Sequence, residues 1–223
     1  MSRTTSSPFW HQRVLAGQHF QLLNIDHPEV DACILGDMEA GVAVTYDRHW
    51  DVTTRFSRFL LTQPAWVADR TVLVLGAGVG LETLVIGRLC KHLYLNDFAP
   101  RALDLCARQL QRNGITAFTC LPGRYETLPL PPVDLIIGCY IVYSRDTAAA
   151  MRQFLARHTP PVLLVNEPLL SWHGLLREAP RAPQRLSPPT DFPCVLFDAA
   201  STPPAPSAGP AQQRRSGRRW RKP

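Results

Sequence analysis

"TVLVLGAGVGLETL", residues 71–84, decides the fold. The run from Thr71 to Leu75 has no polar alternation, as expected of a strand buried on both faces inside a helix-covered parallel sheet. Gly76, Gly78 and Gly80 follow, and then a helix-forming stretch. A glycine turn that opens a helix N-terminus lets backbone approach a ligand closely, because no side chain stands between them. The spacing is GxGxG. The dinucleotide fingerprint would need glycine at position 81, which is Leu81, and the Gly-Lys-Ser/Thr of a phosphate-binding P-loop is absent.

Outward from this stretch the chain alternates regularly. A helix over 80–90, a strand over 92–96, a helix over 99–113 and strands over 115–121 and 133–143 are predicted, followed by a helix over 146–158 and a strand over 161–168. This rhythm predicts an α/β Rossmann-like sheet, mostly parallel, with helices on both faces. Upstream, 49–63 has the apolar spacing of a helix (Val52, Phe56, Phe59, Leu60). "HFQLLNI" (19–25) and "VDACIL" (30–35) read as strands around the turn "DHPE", with "VAVTY" (42–46) as a candidate third. The pattern thins beyond Pro168. A helical turn or two fits 169–179, the five prolines of 180–193 break regular structure, and "CVLFDA" (194–199) is the one further strand candidate. The sheet is therefore expected to be incomplete at its C-terminal edge. The domain reading is an N-terminal β-hairpin extension (1–48), an α/β domain (49–199) and a disordered basic Pro-rich tail (200–223).

In an open parallel sheet, ligands bind beyond the carboxyl ends of the strands where the strand order reverses. "LNDF" places Asp97 at the tip of the second strand of that sheet, 21 residues after Gly76. A carboxylate there can accept hydrogen bonds from two vicinal ribose hydroxyls, and it would repel phosphates. The pair of features therefore suits an unphosphorylated nucleoside.

Together, "VLVLGAGVGLETL", "LNDFAP" and "DLIIGCYIVY" resemble the class I, seven-strand S-adenosylmethionine-dependent methyltransferases, and most of all the small protein-lysine methyltransferases. The resemblance runs from Trp50 to Tyr143. It implies S-adenosyl-L-methionine as cofactor, with the loop residues Gly76, Ala77, Gly78 and Gly80 around its methionine part and Asp97 on its ribose. It further implies Phe98 and Tyr125 beside the adenine, Trp50 closing the pocket, and Cys139 at the end of the fourth strand against the cofactor. Tyr140 and Tyr143 would serve catalysis by holding the acceptor amine. Core packing remains open for Trp50 and Tyr143, and a plain loop position for Tyr125. Two motif positions depart from the family. Its acid two residues before the first glycine is Val74 here, and its D-x-x-Y reads Tyr140-Ile141-Val142-Tyr143.

The implied reaction is methyl transfer to a protein lysine. Reaching the neutral amine of a lysine near pH 7 costs roughly 4.6 kcal/mol, and an aromatic-lined channel lowers that cost by disfavouring the ammonium. The reaction needs no metal. The alternative is a catalytically weak or inactive module that binds the cofactor or a partner; a nicotinamide oxidoreductase is disfavoured by the glycine spacing.

The net charge of +6 lies wholly in residues 201–223, so the preceding 200 residues are neutral. The body therefore lacks the basic surface that dominates nucleic-acid binding, and the tail could make at most weak contacts. A protein substrate is the expected partner, with no membrane; the oligomeric state stays open. The six cysteines form no CxxC pair and read as free thiols in a reducing compartment, the cytoplasm, with the nucleus as alternative.

Overall fold

The computed structural model describes residues 8–186 and 190–199; the tail predicted for 200–223 lies outside them. The chain opens with a two-stranded antiparallel hairpin, β1 (Trp10–Leu15) and β2 (Gln18–Leu23), turned at Ala16-Gly17 with both residues at positive φ. It continues through helix α1 (Pro28–Glu39) and an irregular segment to helix α2 (Asp51–Thr62). The hairpin prediction holds, but its partners differ. The strand read over 19–25 pairs backward with β1, and 30–35 is helical. His27 caps α1, Pro28 starts it, and Glu29 and Asp31 occupy its first turn. These are helix-start signals that the short apolar run concealed. Residues 42–46 form no strand; Tyr46 turns inward and donates its hydroxyl to Asp37 at 2.5 Å.

The body alternates as read: β3 (Thr71–Leu75), α3 (Leu81–Leu89), β4 (His92–Asp97), α4 (Pro100–Arg112), β5 (Phe118–Pro122), β6 (Leu135–Cys139), α5 (Arg145–Arg157), β7 (Val162–Val165) and α6 (Leu170–Glu178). Two short strands follow, β8 (Pro183–Arg185) and β9 (Cys194–Phe197). The sheet order is β5-β4-β3-β6-β7-β9-β8, with β5 through β7 parallel and β9 antiparallel to both its neighbours. The C-terminal edge is thus complete, contrary to the expectation from the prolines. Pro183 begins an edge strand, where its missing N–H breaks no ladder bond.

Alternation along β3 divides the core. Val72 and Val74 pack with Phe56 and Leu60 of α2, Leu84 of α3 and Cys106 of α4. Leu73 and Leu75 face Met151 and Phe154 of α5 and Trp172 of α6. Leu15, Phe20 and Leu22 of the hairpin belong to the first of these clusters. No helix among the described residues is long and apolar enough to cross a membrane.

Candidate active site

The strand order reverses between β3 and β6, and a cavity of about 570 Å³ opens beyond their carboxyl ends. Trp50, Gly76, Ala77, Gly78, Gly80, Asp97, Phe98, Tyr125, Cys139, Tyr140 and Tyr143, the residues singled out from sequence, all line it. They come from four strand ends and the N-terminus of α2, because a parallel sheet collects every strand's carboxyl end at one edge.

The glycine loop is built for close approach. Gly76 and Gly78 have φ of +61° and +48°. A Cβ on Gly76 would lie 2.6 Å from Ile141 Cγ2, so side chains are excluded on steric as well as conformational grounds. Asp97 ties this loop to β4. Its Oδ2 accepts from Gly78 N at 2.8 Å and its Oδ1 from Ala99 N at 2.9 Å. Burial raises the Asp97 pKa, and those backbone N–H groups oppose the rise. Each carboxylate oxygen retains acceptor capacity toward a ligand. The neighbouring Asn96 donates to Leu121 O and Gly123 O, both at 2.8 Å, fixing the turn that leads to Tyr125. Tyr125 is largely buried, edge-on to Phe154, and its hydroxyl lies 3.4 Å from Thr147 O.

The mouth is aromatic. Trp50 stacks on Tyr140 with centroids 4.2 Å apart, and Tyr140 lies 6.5 Å from the near-parallel Tyr143. Arg48 covers the Trp50 ring at 5.2 Å from its centroid, and Trp50 Nε1 donates to Thr45 O at 3.1 Å. Tyr140 has a φ of +56°, an uncommon conformation for a bulky residue, and its N–H donates to Val165 O at 2.7 Å. Asn166, at the end of β7, holds the same segment. It accepts from Val142 N and donates to Val142 O, each at 3.1 Å. Burial first, then the Asp97 charge, raises the Tyr143 pKa, so its hydroxyl stays protonated at neutral pH. Burial likewise holds the Cys139 thiol well above its ordinary pKa, which keeps it neutral.

Arg48, His49 and Glu82 are among the lining residues that the sequence reading did not single out. Arg48 is paired with Asp47. His49 is pushed toward its neutral form by burial and by His11 and Arg13, and its Nε2 has no partner among the described residues. Glu82 is 2% exposed, with Oε2 similarly unpartnered. Glu82 was readable as a first-turn helix acid; its turn into the cavity was not. Among the described residues, no group of three or more His, Cys, Asp or Glu is placed to hold a metal ion.

A family described as "Methyltransferase domain" matches residues 73–159. The match covers less than half of the chain; the seven-strand sheet, with its antiparallel penultimate strand, is similar to the fold of class I S-adenosylmethionine-dependent methyltransferases. Among curated proteins, the chain is similar to the histone-arginine methyltransferase METTL23 of Xenopus laevis. The two are 27% identical over 134 residues, 57% of this chain and 53% of that one. Among solved structures, it is similar in fold to the T. thermophilus 16S rRNA N2 G1207 methyltransferase RsmC, in complex with AdoMet and guanosine. The TM-score is 0.59 at 17% identity, covering 87% of this chain and 52% of that one. The chain spans about half the length of each of these relatives.

Proposed function

We propose that this protein transfers the methyl group of S-adenosylmethionine to a side-chain nitrogen of another protein, with lysine as the acceptor that the sequence resemblance favours. The observation that carries the reading is the juxtaposition, in one cavity, of a side-chain-free glycine loop, the Asp97 carboxylate and a stacked aromatic mouth. When bound, the cofactor supplies an electrophilic methyl on a sulfonium; no base or metal is obligatory.

The chain's own residues would position and desolvate. Gly76, Ala77, Gly78 and Gly80 present backbone to the methionine part. Asp97 accepts from the ribose hydroxyls through its remaining lone pairs, and Phe98 and Tyr125 flank the base. Cys139, neutral and buried, packs beneath. Trp50, Tyr140 and Tyr143 wall the approach of the acceptor. Their faces attract a cation and their apolar bulk favours the neutral amine, which brings the nucleophile within reach at neutral pH. The protonated Tyr143 hydroxyl is a donor or acceptor for that amine. In-line positioning of this kind is the main catalytic device left to the protein.

Arginine is the second reading. The METTL23 relative is named for it, and a guanidinium, that of Arg48, already stacks on Trp50 in this fold.

The test is transfer of isotopically labelled methyl from S-adenosylmethionine to proteins of a cell extract, with mass spectrometry of the modified residue. Label on lysine supports the proposal, with trimethylation decisive because arginine cannot carry it. Label on arginine selects the second reading. Binding of S-adenosylhomocysteine without any transfer would leave a cofactor-binding module and defeat the enzyme proposal.

A further inference from the structure

Resting on the cofactor assignment above, we infer that Glu82 forms a cation subsite in the wall of the cavity and receives the α-ammonium of the cofactor's methionine end.

The side chain is at the second position of α3, two residues after the last glycine of the loop. It lines the cavity at 2% exposure, and its Oε2 has no hydrogen-bond partner among the described residues. Its carboxylate lies against Gly80 so closely that a Cβ there would collide with it. Gly80 has an ordinary φ of −63°, so what glycine supplies there is room for a buried acid. A carboxylate so placed is costly unless a cation pairs with it. The N-terminus of α3 offsets part of the cost.

Among the described residues, none supplies that cation. The two arginines that line the cavity are engaged elsewhere, Arg48 with Asp47 and Arg124 with Glu126. Val74, in the strand below, is fully buried and offers no charge. When Glu82 is ionised, the pairing charge is left for the ligand to supply. The cofactor's nucleoside end has hydroxyls and a base, which suit Asp97 and the aromatic residues. Its amino-acid end carries an ammonium, which suits an isolated carboxylate beside the loop. The acceptor amine of a substrate is the competing occupant.

Ionisation of Glu82 is part of the device. Burial pushes its carboxyl up to about 7. The Cys139 and Cys106 thiols feel its charge and are themselves held neutral by burial. Tyr46, Arg48, His49, Asp97, Arg124, Tyr125, Glu126, Tyr140, Tyr143 and Asp146 are the other titratable residues that line the cavity.

The experiment is calorimetric titration of the full chain with S-adenosylhomocysteine and with its deamino analogue, which lacks only the α-amino group. At pH 8 the native protein should prefer S-adenosylhomocysteine at least tenfold. Glu82→Gln should lose most of that preference while binding the analogue as before. Equal binding of the two ligands by the native protein, or a preference kept intact in the variant, overturns the inference; equal binding would point to the substrate amine as the occupant. Failure of the native protein to bind either ligand overturns the cofactor assignment instead. Should Glu82→Gln not melt cooperatively, the native protein still decides the matter. Its preference must grow from pH 6 to pH 8 as Glu82 ionises, and a flat preference overturns the inference.

Discussion

Asp97 and Glu82 are both buried acids at the same cavity, yet their environments differ. Asp97 accepts backbone N–H bonds on both oxygens, whereas Glu82 leaves Oε2 bare. Replacing Asp97 with Ala removes an acceptor and frees the Gly78 and Ala99 amides. We expect S-adenosylhomocysteine binding to weaken by ~1.5–3 kcal/mol, about ten- to a hundredfold, in calorimetry; unchanged affinity would displace the ribose from this residue. Glu82 predicts a pH effect. Its carboxyl titrates at about 7 in the fold against an ordinary 4.5. The native state therefore holds a proton that the unfolded chain has released. Stability conferred by the protonated group is present below pH 4.5, declines as pH rises from 4.5 toward 7, and is gone above that. The Glu82→Gln chain, without ligand, should gain roughly 2–3 kcal/mol over the native chain at pH 8 and little at pH 4.5, by denaturant titration. A gain independent of pH would show that Glu82 does not titrate in that window.

At the scale of elements, the cavity depends on how strand ends are tied to one another. The segment after β6 is held at a strained Tyr140 by Val165 O and by the paired bonds of Asn166 to Val142. Asn166→Ala should cost about 1–3 kcal/mol, because it leaves Val142 N–H buried without a partner. It should also slow methyl transfer more than it weakens cofactor binding, since the proposed function puts Tyr140 and Tyr143 on the acceptor side. Equal losses in both measurements would contradict that division. Downstream, Ser144 closes a capping box with Thr147 at the start of α5, and Ser144→Ala should lower stability by ~1 kcal/mol in the same denaturant assay. The regular elements of this region were legible in sequence, since "TVLVL" and the α4 stripe repeat at strand and helix periods. The 30–35 run was misread because six apolar-rich residues satisfy either period. Its register was set by His27 and Pro28 outside the run.

Across the whole molecule, the sheet closes late. β9 inserts between β7 and β8, and it buries Val195 and Phe197 against the α5–α6 side. A chain ending at residue 199 should melt within about a degree or two of the full chain, because every strand among the described residues is retained. A chain ending at residue 189 should fail to melt cooperatively, because β8 and β7 both lose β9, the antiparallel strand that pairs with each of them. Cooperative melting of the shorter chain would show that the C-terminal edge is dispensable.

The sequence by itself determined the parallel α/β core, the glycine turn after β3 and the acid at the tip of β4, because those signals are local. They are a hydrophobic period, a spacing and a residue type at a strand end. What only the tertiary structure decided was non-local. The insertion of β9 between β7 and β8 depends on which distant backbone groups meet. So do the stacking of Trp50 on Tyr140 across some ninety residues of chain and the placing of Glu82 in a cavity whose other walls come from remote strand ends. Burial and proximity are created when remote segments pack, and no window along the chain encodes them.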